Sequence, residues 1–224
     1  SDKITRLTAD GAYTNVLISP DSRTAYALRS SYEYPTEPVS IELTHLAELE
    51  SGQYAALTGL LSTAEQPALP GTLTEVSTTA EDGSTIRAWL ALPRDASPSN
   101  KAPLLLWIHG GPLGSWNAWS WRWSPWLAVA QGYAVLLPDP ALSTGYGQDF
   151  IQRGWGRWGE EPYTDLLVIT DAAEARADID QSRTAAMGGS FGGYMANWIA
   201  GHTDRFKAIV THASLWALDG FDKS

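Results

Sequence analysis

The spacing of hydrophobic and polar positions changes character about a third of the way along the chain. Up to residue 57 the apolar positions come in short runs, 14–18, 24–29, 39–43 and 53–57, separated by turn-forming residues such as Ser19-Pro20-Asp21-Ser22. Proline presets φ in such a turn, and the Asp and Ser side chains can bond the local backbone, so the pattern predicts a four-stranded antiparallel meander. Four strands cannot bury both of their faces. The meander therefore reads as one blade of a larger array, with a small self-contained β-subdomain as the alternative. Residues 60–70 are polar and carry proline, as a linker would, and 75–79 and 85–92 flank Ala80-Glu81-Asp82-Gly83 as the two arms of a hairpin.

Beyond that hairpin the rhythm lengthens. Pro103-Leu104-Leu105-Leu106-Trp107-Ile108 is a continuous apolar run, which suits a parallel strand buried on both faces. A helix over 126–131 and a strand over 133–137 follow. After a long loop over 143–159 comes a helix over 165–176, whose apolar face runs through Leu166, Ile169 and Ala173 and whose last turn holds Arg176. A strand at 183–187, a helix at 194–200 and a strand at 206–212 complete the series. Strands alternating with helices predict an α/β layer structure with a largely parallel sheet. Trp116, Trp119, Trp121, Trp123 and Trp126 fit neither the helical nor the strand period. They read as core or domain-interface packing, with the wall of a pocket for an apolar acyl side chain as the alternative.

Composition narrows the function classes. With 224 residues, 44% of them hydrophobic and 18% charged, the chain can bury a sizeable core. A net charge of -10 disfavours nucleic acid or an anionic membrane surface as partner and favours a small molecule or peptide. The absence of cysteine excludes disulfides, thiolate catalysis and cysteine metal sites, and nothing in the sequence asks for a cofactor. No apolar run approaches the roughly 20 residues of a membrane span, and Ser1 to Arg6 carry no signal-peptide core, so no membrane partner is expected and the expected location is cytoplasmic. Association into a homo-oligomer is compatible with all of this.

Two glycine-rich motifs carry the chemistry. Met187-Gly188-Gly189-Ser190-Phe191-Gly192-Gly193-Tyr194-Met195 contains G-x-S-x-G between a short apolar run and a helix-forming segment, the strand–turn–helix setting of a nucleophile elbow. Gly188 and Gly192 are needed where a Cβ would collide with neighbouring backbone. Upstream, the run 103–108 leads directly into His109-Gly110-Gly111-Pro112. An acyl-transfer intermediate needs two N–H donors for its oxyanion, one from the residue after the nucleophile and one from a loop following an earlier strand. Phe191 and Gly111 are the candidates, with Gly110 in reserve. His109 precedes the serine, whereas the base that serves a G-x-S-x-G elbow follows it in the chain, so His109 reads as a prop for the loop. Glu160-Glu161 could form an acid/base pair or a clamp for a substrate amine, but helix N-terminal charges explain them more simply.

Together these residues resemble the prolyl oligopeptidase family of serine peptidases, most closely its acylaminoacyl-peptidase-like branch, over nearly the whole chain. The carriers are His109-Gly110-Gly111-Pro112, Ser143-Thr144-Gly145-Tyr146-Gly147, Trp158-Gly159, Asp165, the elbow at 188–195 and Asp204-Arg205-Phe206-Lys207-Ala208. The resemblance implies an α/β-hydrolase fold preceded by the last blade of a β-propeller: residues 1–60 the end of the propeller, 61–74 a linker, and 75–224 the N-terminal part of the peptidase domain. It puts the nucleophile on Ser190 and the oxyanion donors on Gly111 and Phe191. Where the family often has Asn-Pro-Arg-Gly, this chain has Asp139-Pro140-Ala141-Leu142, so that arginine's role does not carry over. The triad order is Ser, then Asp or Glu, then His, and the acidic and histidine residues that follow Ser190 do not occupy those places. The sequence thus reads as a truncated hydrolase whose triad Asp and His lie on a remaining segment of the same enzyme. The expected activity is hydrolysis of short peptides or acyl-peptides through a Ser190 acyl-enzyme. The alternatives are an esterase or lipase of the same fold, or a non-catalytic pseudo-hydrolase that only binds.

Overall fold

The computed structural model describes residues 4–9, 11–50, 53–60 and 68–223. It forms two compact units, Ser1–Ala68 with Asn117–Ser124, and Leu69–Trp116 with Pro125–Ser224. The first is the expected antiparallel meander, with strands β1 (Ala12–Ile18), β2 (Thr24–Ser30), β3 (Glu37–Glu42) and β4 (Leu57–Gly59) paired in that order. Ala25 and Ala27 of β2 and Val39 and Ile41 of β3 are buried, as alternation along a strand requires. β4 lies later than the predicted 53–57, because its pairing with β3 starts at Leu57 opposite Ile41 and runs to Gly59 opposite Val39. Residues just before it make separate bonds instead, Ala55 N–H to Leu7 O at 3.0 Å and Glu42 N–H to Ala56 O at 2.9 Å. Within this unit the Trp121 indole N–H donates to Ser31 O at 2.6 Å, and the Trp119 ring packs 4.9 Å from that of buried Tyr32.

The second unit is built on six strands: β5 (Gly71–Thr79), β6 (Thr85–Pro93), β7 (Ala102–Ile108), β8 (Ala134–Asp139), β9 (Ile179–Gly189) and β10 (Ile209–His212). Their order is β10-β9-β7-β8-β6-β5, with parallel pairing from β10 to β8 and antiparallel pairing from β8 to β5. The helices are α1 (Trp126–Val129), α2 (Gln148–Gly154), α3 (Glu161–Glu174) and α4 (Phe191–His202). Alternate residues Ile86, Ala88, Leu90 and Leu92 of β6, Leu104, Leu106 and Ile108 of β7, and Ala134 and Leu136 of β8 form one core with Leu166, Ile169 and Ala173 of α3 and Phe191, Met195 and Ile199 of α4. Val135 and Leu137, between them in sequence, are also fully buried, so β8 is covered on both faces and its apolar run needs no polar alternation.

Several boundaries move for physical reasons. β5 begins at Gly71, inside the stretch predicted as linker, because its pairing with β6 continues to Pro93 and only a glycine fits against the Leu92 carbonyl there. Residues 61–67 of that stretch lie outside the described residues, and 68–70 lead into β5. The loop predicted over 143–159 contains α2, a helix that sequence reading missed because glycines punctuate it. Gly147 takes φ 92° at its start, and a Cβ on Gly154 at its end would come 2.7 Å from Leu142 and 2.9 Å from Pro162. α3 starts at Glu161 rather than Asp165, since Pro162 sits in the first turn where no N–H is required. β10 is shorter than the predicted 206–212. Its ladder with β9 opens at Ile209, although Lys207 N–H already reaches Thr184 O at 2.8 Å.

Candidate active site

β9 ends at Gly189, α4 begins at Phe191, and Ser190 between them has φ 57° and ψ -120°. A side chain with positive φ is strained and persists only where its surroundings fix it. Here they do. Ser190 N–H donates to His212 O at 2.9 Å, and Ser190 O accepts Tyr194 N–H at 3.0 Å. A Cβ on Gly192 would overlap the Ile108 carbonyl and lie 2.8 Å from His109 O, and one on Gly188 would overlap the Gly192 backbone. The two motif glycines are thus what allow β7, β9 and α4 to meet at the turn. The serine itself is exposed.

The loop after β7 comes to the same point. A Cβ on Gly110 would lie 3.3 Å from Gly189 O and 3.4 Å from Ser190 Cβ, so the loop passes directly against the serine. Gly111 is the next residue, with φ 129°, a conformation open to glycine alone, and its bond to Pro112 is cis. Phe191 is fully buried and opens α4, so its N–H is among those that have no acceptor within the helix. Local geometry therefore brings the Ser190 turn, the start of α4 at Phe191 and the Gly110-Gly111 loop together.

Behind this loop lies a buried polar cluster. The His109 ring is nearly inaccessible, with Nδ1 2.7 Å from Gly110 O and Nε2 2.8 Å from Ser143 Oγ. Burial lowers its pKa from the ordinary value, against the pull of Asp139 3.6 Å away. In the neutral ring consistent with these contacts, Nδ1–H donates to the Gly110 carbonyl and Nε2 accepts the Ser143 hydroxyl proton. His109 is thus engaged as a prop, as its position in the sequence suggested. Because its pKa falls on folding, the unfolded chain binds more protons below about pH 6.5, and stability should drop as pH falls through that value. A urea midpoint that declines from pH 7.5 to 5.5 in the wild-type protein, and declines less in His109→Asn, is the expected result; equal declines would place the effect elsewhere.

The remaining candidates separate. Glu160 and Glu161 sit at the start of α3 and both pair with Arg157, as helix N-terminal charges. Trp116 and Trp126 are buried in the second unit, Trp119 and Trp121 belong to the first, and Trp123 is 43% exposed beneath the Arg122 guanidinium. The Trp116 indole donates to Trp107 O at 3.1 Å. His202 bonds Trp198 O at 2.7 Å and stacks on its ring, and His45 faces Glu48. Among the described residues no group of three His, Asp or Glu side chains could hold a metal, and no helix is long and apolar enough to cross a membrane. Sequence reading did not find a role for Asp139, Ser143, Tyr146 or Arg153. The signal available was the polar residues Asp139 and Ser143 at the end of an otherwise apolar strand and just beyond it.

Residues 119–224 match the sequence profile of the Prolyl oligopeptidase family. The probable dipeptidyl-peptidase 5 of Emericella nidulans is 41% identical over 138 residues, 60% of this chain and 19% of that protein. The dipeptidyl-peptidase 5 of Schizosaccharomyces pombe is 41% identical over 134 residues, 58% of this chain and 20% of that protein. The chain thus spans about a fifth of the length of these curated relatives. Among solved structures, a puromycin hydrolase superposes with a TM-score of 0.80 at 21% identity over 97% of this chain and 32% of its own. The Pyrococcus horikoshii acylaminoacyl peptidase does so with 0.75 at 20% identity, over 93% and 32%. At such identities the likeness concerns the fold, and the second unit has the α/β-hydrolase arrangement. On the sequence match, residues 119–224, just under half of the chain, are similar to the prolyl oligopeptidase family.

Proposed function

We propose that this chain carries the nucleophile and oxyanion site of a serine peptidase that cleaves short peptides or acyl-peptides. The observation that carries the reading is Ser190 at φ 57° between β9 and α4 with the Gly110-Gly111 loop against its Cβ. In the proposed reaction the Ser190 Oγ bonds to the scissile carbonyl carbon while a histidine base takes its proton. The carbonyl oxygen becomes an oxyanion facing Phe191 N–H and Gly111 N–H. Collapse breaks the C–N bond, the histidine returns the proton to the leaving amine, and water then cleaves the acyl-serine ester. The reading assigns that histidine and its orienting aspartate to a further segment of the same enzyme, in keeping with the fraction of its relatives that the chain spans. It also takes the β1–β4 meander as a propeller blade; the supporting feature is its four-stranded antiparallel order.

The test uses the full-length protein that carries this sequence. A fluorophosphonate probe should label the tryptic peptide containing Ser190, and aminoacyl or peptidyl anilides should be cleaved. A label on another residue in active material would remove Ser190 from the mechanism. Turnover of long-chain acyl esters with no detectable amide cleavage would favour the esterase reading, and no label with no turnover would favour a binding protein.

A further inference from the structure

Asp139, the last residue of β8, is 3% exposed and its carboxylate gathers three donors from two loops. Oδ2 accepts Ser115 Oγ–H at 2.5 Å and Tyr146 O–H at 2.7 Å, and Oδ1 accepts Trp116 N–H at 2.9 Å. The His109 Nε2 lies 3.6 Å from Oδ1. On the neighbouring strand β6, Arg87 stands opposite Asp139 in register, and its guanidinium is paired with Glu75. Ser115 and Trp116 form the outgoing end of the glycine turn that starts at His109 and passes Ser190. The incoming end is held by β7 and by His109 on Gly110 O, and the middle by Thr144 N–H on Gly114 O at 2.8 Å. Asp139 fixes the outgoing end and ties it to Tyr146 of the second loop.

We infer that Asp139 is a positioning residue for the Ser190 reaction, its buried carboxylate clamping residues 115–116 and Tyr146 so that the Gly110-Gly111 loop keeps its place beside the serine. The inference rests on the serine-hydrolase reading above. An oxyanion donor works only if it is held to within about half an ångström of its productive position, and loss of one such donor costs on the order of 10²- to 10³-fold in kcat. A loop freed at one end loses part of that. The bonds themselves suggest a rescue. An asparagine at 139 could accept Trp116 N–H on its oxygen and donate its two amide hydrogens to the Ser115 and Tyr146 hydroxyls, which can reverse direction. Geometry would survive although the charge is gone.

The experiment compares Asp139→Ala and Asp139→Asn in the full-length protein, with kcat normalised to folded sites titrated by the fluorophosphonate. Asp139→Ala should lose about 10- to 100-fold in kcat with KM changed by less than about 3-fold, and Asp139→Asn should stay within about 5-fold of wild type. A merely structural role would lower stability and leave the kcat of folded protein unchanged. Wild-type kcat in folded Asp139→Ala overturns the inference, and so does an Asp139→Asn as impaired as Asp139→Ala, since charge and not position would then be the cause. If Asp139→Ala does not fold, Ser115→Ala and Tyr146→Phe each delete one donor. Both should lower kcat by about 3- to 10-fold, and wild-type kcat in both overturns the inference. Failure of the wild-type protein to label at Ser190 would instead overturn the hydrolase reading itself.

Discussion

Ser190→Ala should lower kcat by on the order of 10⁵- to 10⁶-fold and abolish fluorophosphonate labelling, with little change in stability. The hydroxyl is the only group removed, and in the proposed mechanism it is the one that forms the acyl bond. What survives is catalysis by bound donors and a water molecule, typically about 10³- to 10⁴-fold above the uncatalysed rate. The elbow should persist in the variant, because Ser190 N–H on His212 O and Tyr194 N–H on Ser190 O are backbone bonds that alanine retains. The serine side chain is exposed and packs no core, so the change in unfolding free energy should stay within about 0.5 kcal/mol. Peptide anilide hydrolysis and the melting temperature are the two readouts. A folded Ser190→Ala enzyme that still turns over at more than about a hundredth of the wild-type rate would place the nucleophile elsewhere.

Arg153→Met should produce the largest loss of stability. The Arg153 guanidinium donates Nη1–H and Nη2–H to the two oxygens of Asp165 at 2.9 and 3.1 Å, and Asp165 has no exposed surface. Asp165 also accepts Ala141 N–H at 2.8 Å, so it links α3 to the loop after β8. Burial pushes the Asp165 pKa up and Arg153 pulls it down, so removing the arginine leaves a buried carboxylate with one donor. Breaking such a pair typically costs about 3 to 5 kcal/mol, which for a unit of this size is roughly a 6 to 20 °C fall in melting temperature. Arg153 also donates to Asp82 in the β5–β6 turn at 2.7 Å and holds its pKa down to about 2, but Asp82 is 46% exposed and contributes little. Adding Asp165→Asn to Arg153→Met should recover at least half of the loss, because the unpaired charge is then gone. A fall of under about 2 °C in Arg153→Met alone would show that the bridge does not hold this region.

Much of the second unit could be read from its residues because local pattern and tertiary role agree there. The run 103–108 is a central strand, β7, and the G-x-S-x-G segment is the strand–turn–helix that its glycines require. The misread elements are those in which local signals compete. α2 was hidden by Gly147 and Gly154, which mark a loop in sequence but serve here as the start of a helix and a contact point for Leu142 and Pro162. β4 was misplaced because 53–57 is as apolar as a strand, and only the register against Ile41 and Val39 selects Leu57–Gly59. The tryptophans at 116–126 show no period because they are divided between two units.

The sequence by itself determined the pieces that depend on nearest neighbours: the elbow around Ser190, the glycine loop at 109–112, the alternation of strands and helices and the acidic net charge. Each rests on backbone sterics or side-chain period, which act over a few residues. Tertiary structure alone decided which distant polar groups share one buried space. Asp139 meets Ser115, Trp116 and Tyr146, His109 meets Ser143, and Arg153 meets Asp165, at separations of 7 to 34 residues. A buried polar group must find a partner wherever the fold brings one, and no spacing rule along the chain encodes that meeting.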